Sequence, residues 1–408
     1  MAPTDCTSCS DELVVSETPR SGGAIALTLI ALAMGGFAIG ITEFAAMSIL
    51  PDFARGLGVD EPTAGHAISA YAAGVVVGAP ILAAFGARFP RWLLLIGLMA
   101  LFAIANIASA YSPNFETMLV FRFLSGLPHG AYFGVAALVA ASTVPLKFRT
   151  RAVSTILMGL TVATVLGVPV VNLISQAHGW EWTFLIVGGI AVLTMLLIAL
   201  FAPRDPAHPG ASPLRELKAL RNRQVWLTLG VSAIGFGGMF AIYAYLASTL
   251  REVTHVGPHM LPWVFAVFGV GMFSGNLLGA WAGDRFGFPA AAGLLIWSAI
   301  AMALYPLASQ HLWSMMLVVL CVGAGGGLGS ILQTRLMDVA GEAQVLSAAL
   351  NHSAFNTANA LGPLLAGTAV AAGFGWASTA WVAVALTLGG LAIWVWAWLD
   401  GRRTAIAS

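Results

Sequence analysis

Charge is what this sequence has least of. Only 9% of its 408 residues are Asp, Glu, Lys or Arg, against roughly 25% in soluble domains. The 18 basic and 17 acidic residues leave a net charge of +1, which removes any electrostatic case for nucleic-acid binding. Cysteine is nearly absent: Cys6 and Cys9 form a lone C-x-x-C in a polar amino-terminal tail, and Cys321 sits in an apolar run. Without a second ligand pair or a βαβ context such a motif is weak evidence for zinc or redox chemistry, so no metal and no cofactor is expected. No hydrolase triad and no Walker loop is present. Gly325-Gly-Gly-Leu-Gly329 lies inside an apolar run and reads as close helix packing, which argues against an enzyme. Also missing is any polar stretch long enough to bury a soluble core of its own.

What the chain has is apolar residue, 59% of it, with a mean hydropathy of +0.88. Stretches of about 20 apolar residues, the length that crosses a bilayer, recur along it. They fall at Ile25–Leu50, Thr63–Phe85, Trp92–Tyr111, Phe115–Ala141, Ala152–Ile174 and Thr183–Phe201. After a polar segment come Val225–Leu250, Leu261–Ala282, Ala290–Ala308, Leu312–Leu332, Leu346–Ala372 and Ser378–Leu399, twelve in all. The chain is therefore expected to be an all-α membrane protein. The tail before the first span is polar and acidic, unlike the basic flank of a signal peptide.

Basic residues alternate between the two sets of connections. Fifteen fall on the side that holds both termini and two, Arg55 and Arg251, on the other, with Arg122 inside a span. Under the positive-inside rule both termini are cytoplasmic. Residues 202–224 carry five basic residues and four prolines and separate residues 23–201 from residues 225–399, with tails at 1–22 and 400–408. The two halves share an internal repeat. Gly78, followed by Arg88-Phe89, matches Gly275, followed by Arg285-Phe286, and Gly126 and Gly130 match Gly323 and Gly327, all at an offset of 197. Parallel six-helix copies related by an axis along the membrane normal are the expected layout, with a transport path between them.

Ionisable residues at membrane depth are costly and mark function or a partner. Glu43 lies eight residues before Pro51 and Arg122 eight residues after Asn114, so both sit roughly 12 Å below the outer face. They are candidates for a proton-coupling pair, or for a permanent structural bridge. Gly36, Gly40, Glu43 and Met47 share one face of the first helix, and that face suits either close packing or a cavity wall. His129, on the face of Arg122, is a second titrating group or a packing histidine. His352, Asn356 and Asn359 stripe helix eleven, and Phe236, Phe240 and Tyr243 stripe helix seven. Each stripe reads as substrate contact or as helix packing. Asn172, past Pro169, is expected to cap the weakened hydrogen bonds of helix five.

Several motifs carry a family resemblance. Gly279-Ala-Trp-Ala-Gly-Asp284-Arg285-Phe286-Gly287 resembles the loop signature of the major facilitator superfamily. Its first-half counterpart, Ala87-Arg88-Phe89-Pro90, has alanine in place of the aspartate and proline in place of the glycine. Arg122-Phe-Leu-Ser-Gly126 resembles the helix-four motif, and Gly159-Leu-Thr-Val-Ala-Thr-Val-Leu-Gly167-Val-Pro169 the helix-five motif of proton-driven antiporters. Ile41-Thr-Glu-Phe44 and Ser125-Gly-Leu-Pro-His129-Gly-Ala-Tyr-Phe-Gly134 are similar to bacterial arabinose-, sugar- and chloramphenicol-efflux permeases of the twelve-helix drug:H⁺ antiporter group. The resemblance implies the major facilitator fold in a bacterial inner membrane and a monomer whose partners are protons, lipid and a small-molecule substrate. It implies neighbouring helices one and four, and proton-driven export of small amphipathic or sugar-like molecules, with proton-coupled import of a metabolite as the alternative. It also implies gating by Arg88, Asp284 and Arg285 and by Gly167 and Pro169. A non-transporting sensor would need an output domain, and the sequence shows none.

Overall fold

A computed structural model of the chain describes residues 22–86, 89–145, 148–204, 222–340 and 344–407. Cys6, Cys9, Arg88 and most of the segment between the halves lie outside the described residues.

Among the described residues, twelve long helices make the bundle. The first six are α1 (Gly22–Ser48), α2 (His66–Gly86), α3 (Arg91–Ala110), α4 (Phe115–Ser142), α5 (Arg151–His178) and α6 (Glu181–Phe201). The others are α7 (Arg223–Glu252), α8 (Pro258–Phe286), α9 (Pro289–Ala308), α10 (Leu312–Ala340), α11 (Gln344–Ala369) and α12 (Thr379–Ala407). A backbone surrounded by hydrocarbon has no water to bond, so each apolar segment closes its hydrogen bonds on itself. Among the described residues, eleven helices are long and apolar enough to cross a membrane. The twelfth, α11, has the length, at 26 residues, but carries Asn351, His352, Asn356 and Asn359. It can carry them because Asn356 and Asn359 are wholly buried in the bundle. Several helices outrun the apolar stretch that marks them, α8 reaching Phe286 and α10 reaching Ala340. Once started, a helix gains a bond per added residue and continues past the apolar zone.

Local chemistry sets the ends and breaks. Asn114 starts α4 by accepting the Thr117 N–H at 2.9 Å, and Asp60 starts the short helix Glu61–Ala64 by accepting the Thr63 N–H at 2.8 Å. These side chains satisfy donors that a helix start leaves free. Helix α5 widens to a π turn at Ala163–Gly167, just before Pro169, whose ring nitrogen has no hydrogen to donate. Helix α7 turns at Phe236 and Tyr245, and α10 tightens at Gly325–Gly327.

The halves repeat in packing as well as in sequence. In the first, α1 packs on α5 and α6, α2 on α4, and α3 on α4 and α6. In the second, α7 packs on α11 and α12, α8 on α10, and α9 on α10 and α12. The repeated glycines make the equivalent crossings. A Cβ on Gly126 would stand 2.0 Å from the Tyr71 carbonyl oxygen, and one on Gly323 2.4 Å from that of Phe268. Small residues at such crossings let backbones touch, which supplies much of helix association in lipid.

The halves meet where α2 packs on α11 and α5 on α8. Ser69 Oγ donates to the Ala360 carbonyl across the first seam at 2.9 Å. At the end opposite the arginine-rich connections, Arg251 holds both carboxylate oxygens of Asp52, at 3.2 and 2.8 Å. There too Ser248 donates to Glu61, and Gln176 Nε2 donates to the Pro258 carbonyl at 3.0 Å.

Candidate functional site

Halfway along the bundle, α1 brings Glu43 between the halves, 2% exposed. The glycines below it on α1 press against α5: a Cβ on Gly36 would lie 2.8 Å from the Ile156 carbonyl oxygen, and one on Gly40 2.7 Å from the Ala163 Cβ. That face is therefore packing, not a cavity wall.

Arg122 enters from α4 and is equally buried, at 1%. It does not pair with Glu43. Its Nη1 donates to Thr42 Oγ1 at 3.0 Å and its Nη2 to the Thr42 carbonyl at 3.3 Å. Its guanidinium carbon stands 4.5 Å above the Tyr71 ring and 5.3 Å from that of Phe184, a cation–π setting that suits a desolvated arginine. Thr42 in turn donates to Asn106 Oδ1 at 2.6 Å, using both faces of its hydroxyl. The equal depth expected for the acid and the base is observed. Their direct contact is not, because Arg122 meets α1 one residue before Glu43 and a residue step turns a helix by about 100°.

The hydrogen bond of Glu43 instead crosses to the other half, where Asn359 Nδ2 donates to Glu43 Oε1 at 3.0 Å. Asn359 Nδ2 is also 3.5 Å from Asn356 Oδ1, and Asn356 donates to the His352 carbonyl at 3.1 Å. The α11 stripe thus faces α1 and α4. His129 lies against it, with its ring 5.8 Å from that of His352 and its Nδ1 2.9 Å from the Tyr71 hydroxyl. Phe133 stacks on His352 at 5.1 Å with ring planes 7° apart.

Aromatic rings close the other side. Phe240 stacks on Phe44 at 6.2 Å, and Tyr243 meets Phe44 edge-on at 5.5 Å. Phe236 and Phe240 both meet Phe355 edge-on, at 5.0 and 4.9 Å. Tyr243 packs on Phe265 and Phe268 of α8. Helical spacing in the sequence marks Phe236, Phe240 and Tyr243 but not Phe44, Tyr71, Phe265, Phe268 or Phe355. Nothing in one helix's periodicity says which ring a neighbour offers. Thr42 carries no such mark, whereas Asn106, a buried amide inside a span, carries the same signal as Glu43.

The residues assigned to gating do not form one unit. Gly167 ends the π turn with its Cα against Ile41, so that a Cβ there would lie 2.8 Å from Ile41 Cγ1, and Pro169 follows at the start of the next α-helical stretch. Asp284 and Arg285 stand exposed at the arginine-rich end. Asp284 helps line a cavity of about 150 Å³ with Thr334, Arg335 and Asp338. Asn172 departs from its expected role. Its Nδ2 donates to Ser48 O at 3.0 Å and to Ser48 Oγ at 3.2 Å, tying α5 to α1 instead of capping its own helix. Among the described residues no group of three His, Cys, Asp or Glu is placed to hold a metal ion.

Comparison with known proteins agrees with this architecture. The family model described as Major Facilitator Superfamily matches residues 32–251 and 232–407. The inner membrane transport protein YdhP of Escherichia coli (strain K12) is 38% identical over 349 residues, 85% of this chain and 90% of that one. A chloramphenicol resistance protein of Streptomyces lividans is 34% identical over 377 residues, 88% of this chain and 94% of that one. Among solved structures, a bacterial homolog to the human lysosomal transporter Spinster, inward-facing and unoccupied, superposes with a TM-score of 0.72. It covers 94% of this chain and 98% of its own at 17% identity, a likeness of fold alone.

Proposed function

Since the chain belongs to the Major Facilitator Superfamily, as its family match across both halves shows, we propose that it is a proton-coupled exporter. In this reading it exchanges protons for a small amphipathic or sugar-like molecule by alternating access. The observation that carries it is Glu43: a carboxylate held at mid-bundle, between the halves, by a donor from the opposite half. A group so placed changes the cost of each conformation when it takes up or gives up a proton. The chloramphenicol-resistance relative supports the outward direction of drug-like substrates.

Arg122 serves as the fixed positive charge beside the proton site, and His129 as a second titrating group toward the arginine-rich end. Phe236, Phe240, Tyr243, His352 and Asn356 form the substrate wall, since they face the seam and combine flat apolar surface with amide and imidazole groups. Arg88, Asp284 and Arg285 act on the loops that close the arginine-rich end, with Gly167 and Pro169 as the flexible joint of α5. Residues 23–201 and 225–399 are the rocking units, 202–224 the tether. The protein lies in a bacterial inner membrane as a monomer with the arginine-rich end cytoplasmic, as the distribution of its basic residues implies. In that orientation the described contacts between the halves close the outer end.

The test is drug-induced proton movement in inverted vesicles energised with a pH gradient, across a panel of amphipathic drugs and sugars. Substrate addition is expected to collapse part of the gradient, and Glu43→Gln to abolish that response. Substrate flux that ignores the gradient, or survives Glu43→Gln unchanged, overturns the reading. Flux in the same direction as the protons identifies an importer instead.

A further inference from the structure

Asn359 is fully buried at the seam, and its two amide groups are treated unequally. The Nδ2 donates to Glu43 Oε1 at 3.0 Å, while the Oδ1 has no hydrogen-bond partner. A buried amide oxygen without a donor is an uncommon feature that calls for an explanation. Glu43 supplies one. A neutral carboxyl presents an acceptor and an O–H donor along one edge, and a primary amide presents the matching donor and acceptor. The pair closes into a ring of two parallel hydrogen bonds. The bond seen from Asn359 Nδ2 is half of that ring, and the bare Oδ1 is the other half. An ionised Glu43 offers only acceptors, so it has no hydrogen to give Oδ1.

We propose that Asn359 is the positioning residue through which the second half senses the proton on Glu43. Protonated Glu43 forms the two-bond ring and ties the halves together at mid-bundle, with the Asp52–Arg251 end closed. Loss of the proton breaks one bond, leaves Oδ1 without a donor and loosens the seam. Glu43 and Asn359 are 316 residues apart and on opposite halves, so the ring forms only in conformations that bring the halves together there. This rests on the proposed role of Glu43 as proton site and reassigns Asn359 from substrate wall to coupling. Among the groups on elements packed against α1, Arg122 and Tyr71 act on Glu43 electrostatically. Arg122 is engaged by Thr42 and Tyr71 by His129, so neither competes for the carboxyl edge. His129 lies farther along α4, Tyr243 of α7 is turned to Phe44 and Phe268, and the π turn of α5 carries no titratable residue.

The experiment follows the closed end directly. Spin labels on Ala177 and His259 flank the Gln176–Pro258 contact, and their distance is measured from pH 5 to 9 on the full chain in lipid nanodiscs. The unmutated residues should give a closed population that falls as pH rises. Glu43→Gln, whose amide forms the same two-bond ring, should stay closed throughout. Asn359→Leu should erase the pH dependence, alone and in combination with Glu43→Gln, whose closed population it should lower at least threefold. Asn359→Asp keeps the seam polar, covers the case of a misfolded leucine variant and adds a second carboxyl. Two carboxyls sharing one proton hold it to higher pH, so its transition should move upward by a unit or more. An unchanged pH profile in Asn359→Leu or Asn359→Asp overturns the proposal. A Glu43→Gln variant that still follows pH overturns the reading of Glu43 itself, a different failure.

Discussion

At the scale of single residues, a chain of hydrogen-bonded polar side chains runs through the first half at mid-bundle. Arg122 leans on Thr42, Thr42 on Asn106, and Asn106 on the Phe102 carbonyl at 2.8 Å. Thr42→Val keeps the shape of the side chain and removes the hydroxyl. It leaves Arg122 Nη1 and Asn106 Oδ1 short of a partner, at about 1–3 kcal/mol for each buried group left unmade. Thermal unfolding of the purified protein in detergent should show the loss. Thr42→Ser retains the hydroxyl and should recover most of it, which separates the hydrogen bond from packing. Arg122→Lys should also be poorly tolerated, because one ammonium does not reproduce the planar contact with Tyr71 together with two separate bonds to Thr42. That Glu43 and Arg122 would be buried at one depth was legible in the sequence, since counting residues along a helix gives height. The angle around the axis was not, and it sends Arg122 to Thr42 and Glu43 to Asn359.

At the scale of helices, the sequence exposes the crossings and hides the seam. Glycines at an offset of 197 anticipate that α2 crosses α4 as α8 crosses α10, because only glycine allows that approach and each half repeats it. The meeting of α2 with α11 leaves no such mark: its hydrogen bond joins a serine hydroxyl to a main-chain carbonyl, ordinary groups in either helix alone. The crossing glycines differ in what they touch, and the difference is measurable. A Cβ at Gly126 meets main chain at 2.0 Å, whereas one at Gly167 meets the side chain of Ile41 at 2.8 Å. Main chain in a packed helix has nowhere to go, while an isoleucine can adopt another rotamer. Gly126→Ala should therefore cost about 1–3 kcal/mol, the usual range for overpacking, and Gly167→Ala distinctly less. Gly323→Ala, the second-half counterpart of Gly126→Ala, should match it. Denaturation of the three variants side by side would test the ranking, and a Gly167→Ala loss equal to that of Gly126→Ala would contradict it.

At the scale of the whole molecule the two halves are held at different depths by different chemistry. Mid-bundle has the Glu43–Asn359 contact and the aromatic stack. The far end has ions: Asp52 is shared between Arg251, across the seam, and Arg55 on its own helix. The Asp52–Arg251 pair borders a cavity of about 540 Å³ that also takes in Glu61, Gln176 and Glu252. Side chains of Asp52 and Arg251 are 21% and 17% exposed, so the pair is partly shielded from the solvent that makes open surface pairs nearly worthless. A hydrogen bond to a charged group contributes about 1.5–3 kcal/mol, and 1.4 kcal/mol is a factor of ten in an equilibrium. Asp52→Asn should therefore shift the equilibrium roughly tenfold toward the conformation open at that end, leaving Arg251 to water. Its effect should appear as faster labelling of a cysteine placed at Asn356, in a chain freed of its three native cysteines, by a membrane-impermeant maleimide added from that side. Asp52→Glu, which keeps the charge on a longer arm, should fall between the two. Raising ionic strength should mimic Asp52→Asn in part, because half-buried ions still feel the salt around them. If labelling is indifferent to both substitutions and to salt, the ion pair is a by-product of closure, and the mid-bundle contacts alone hold that end shut.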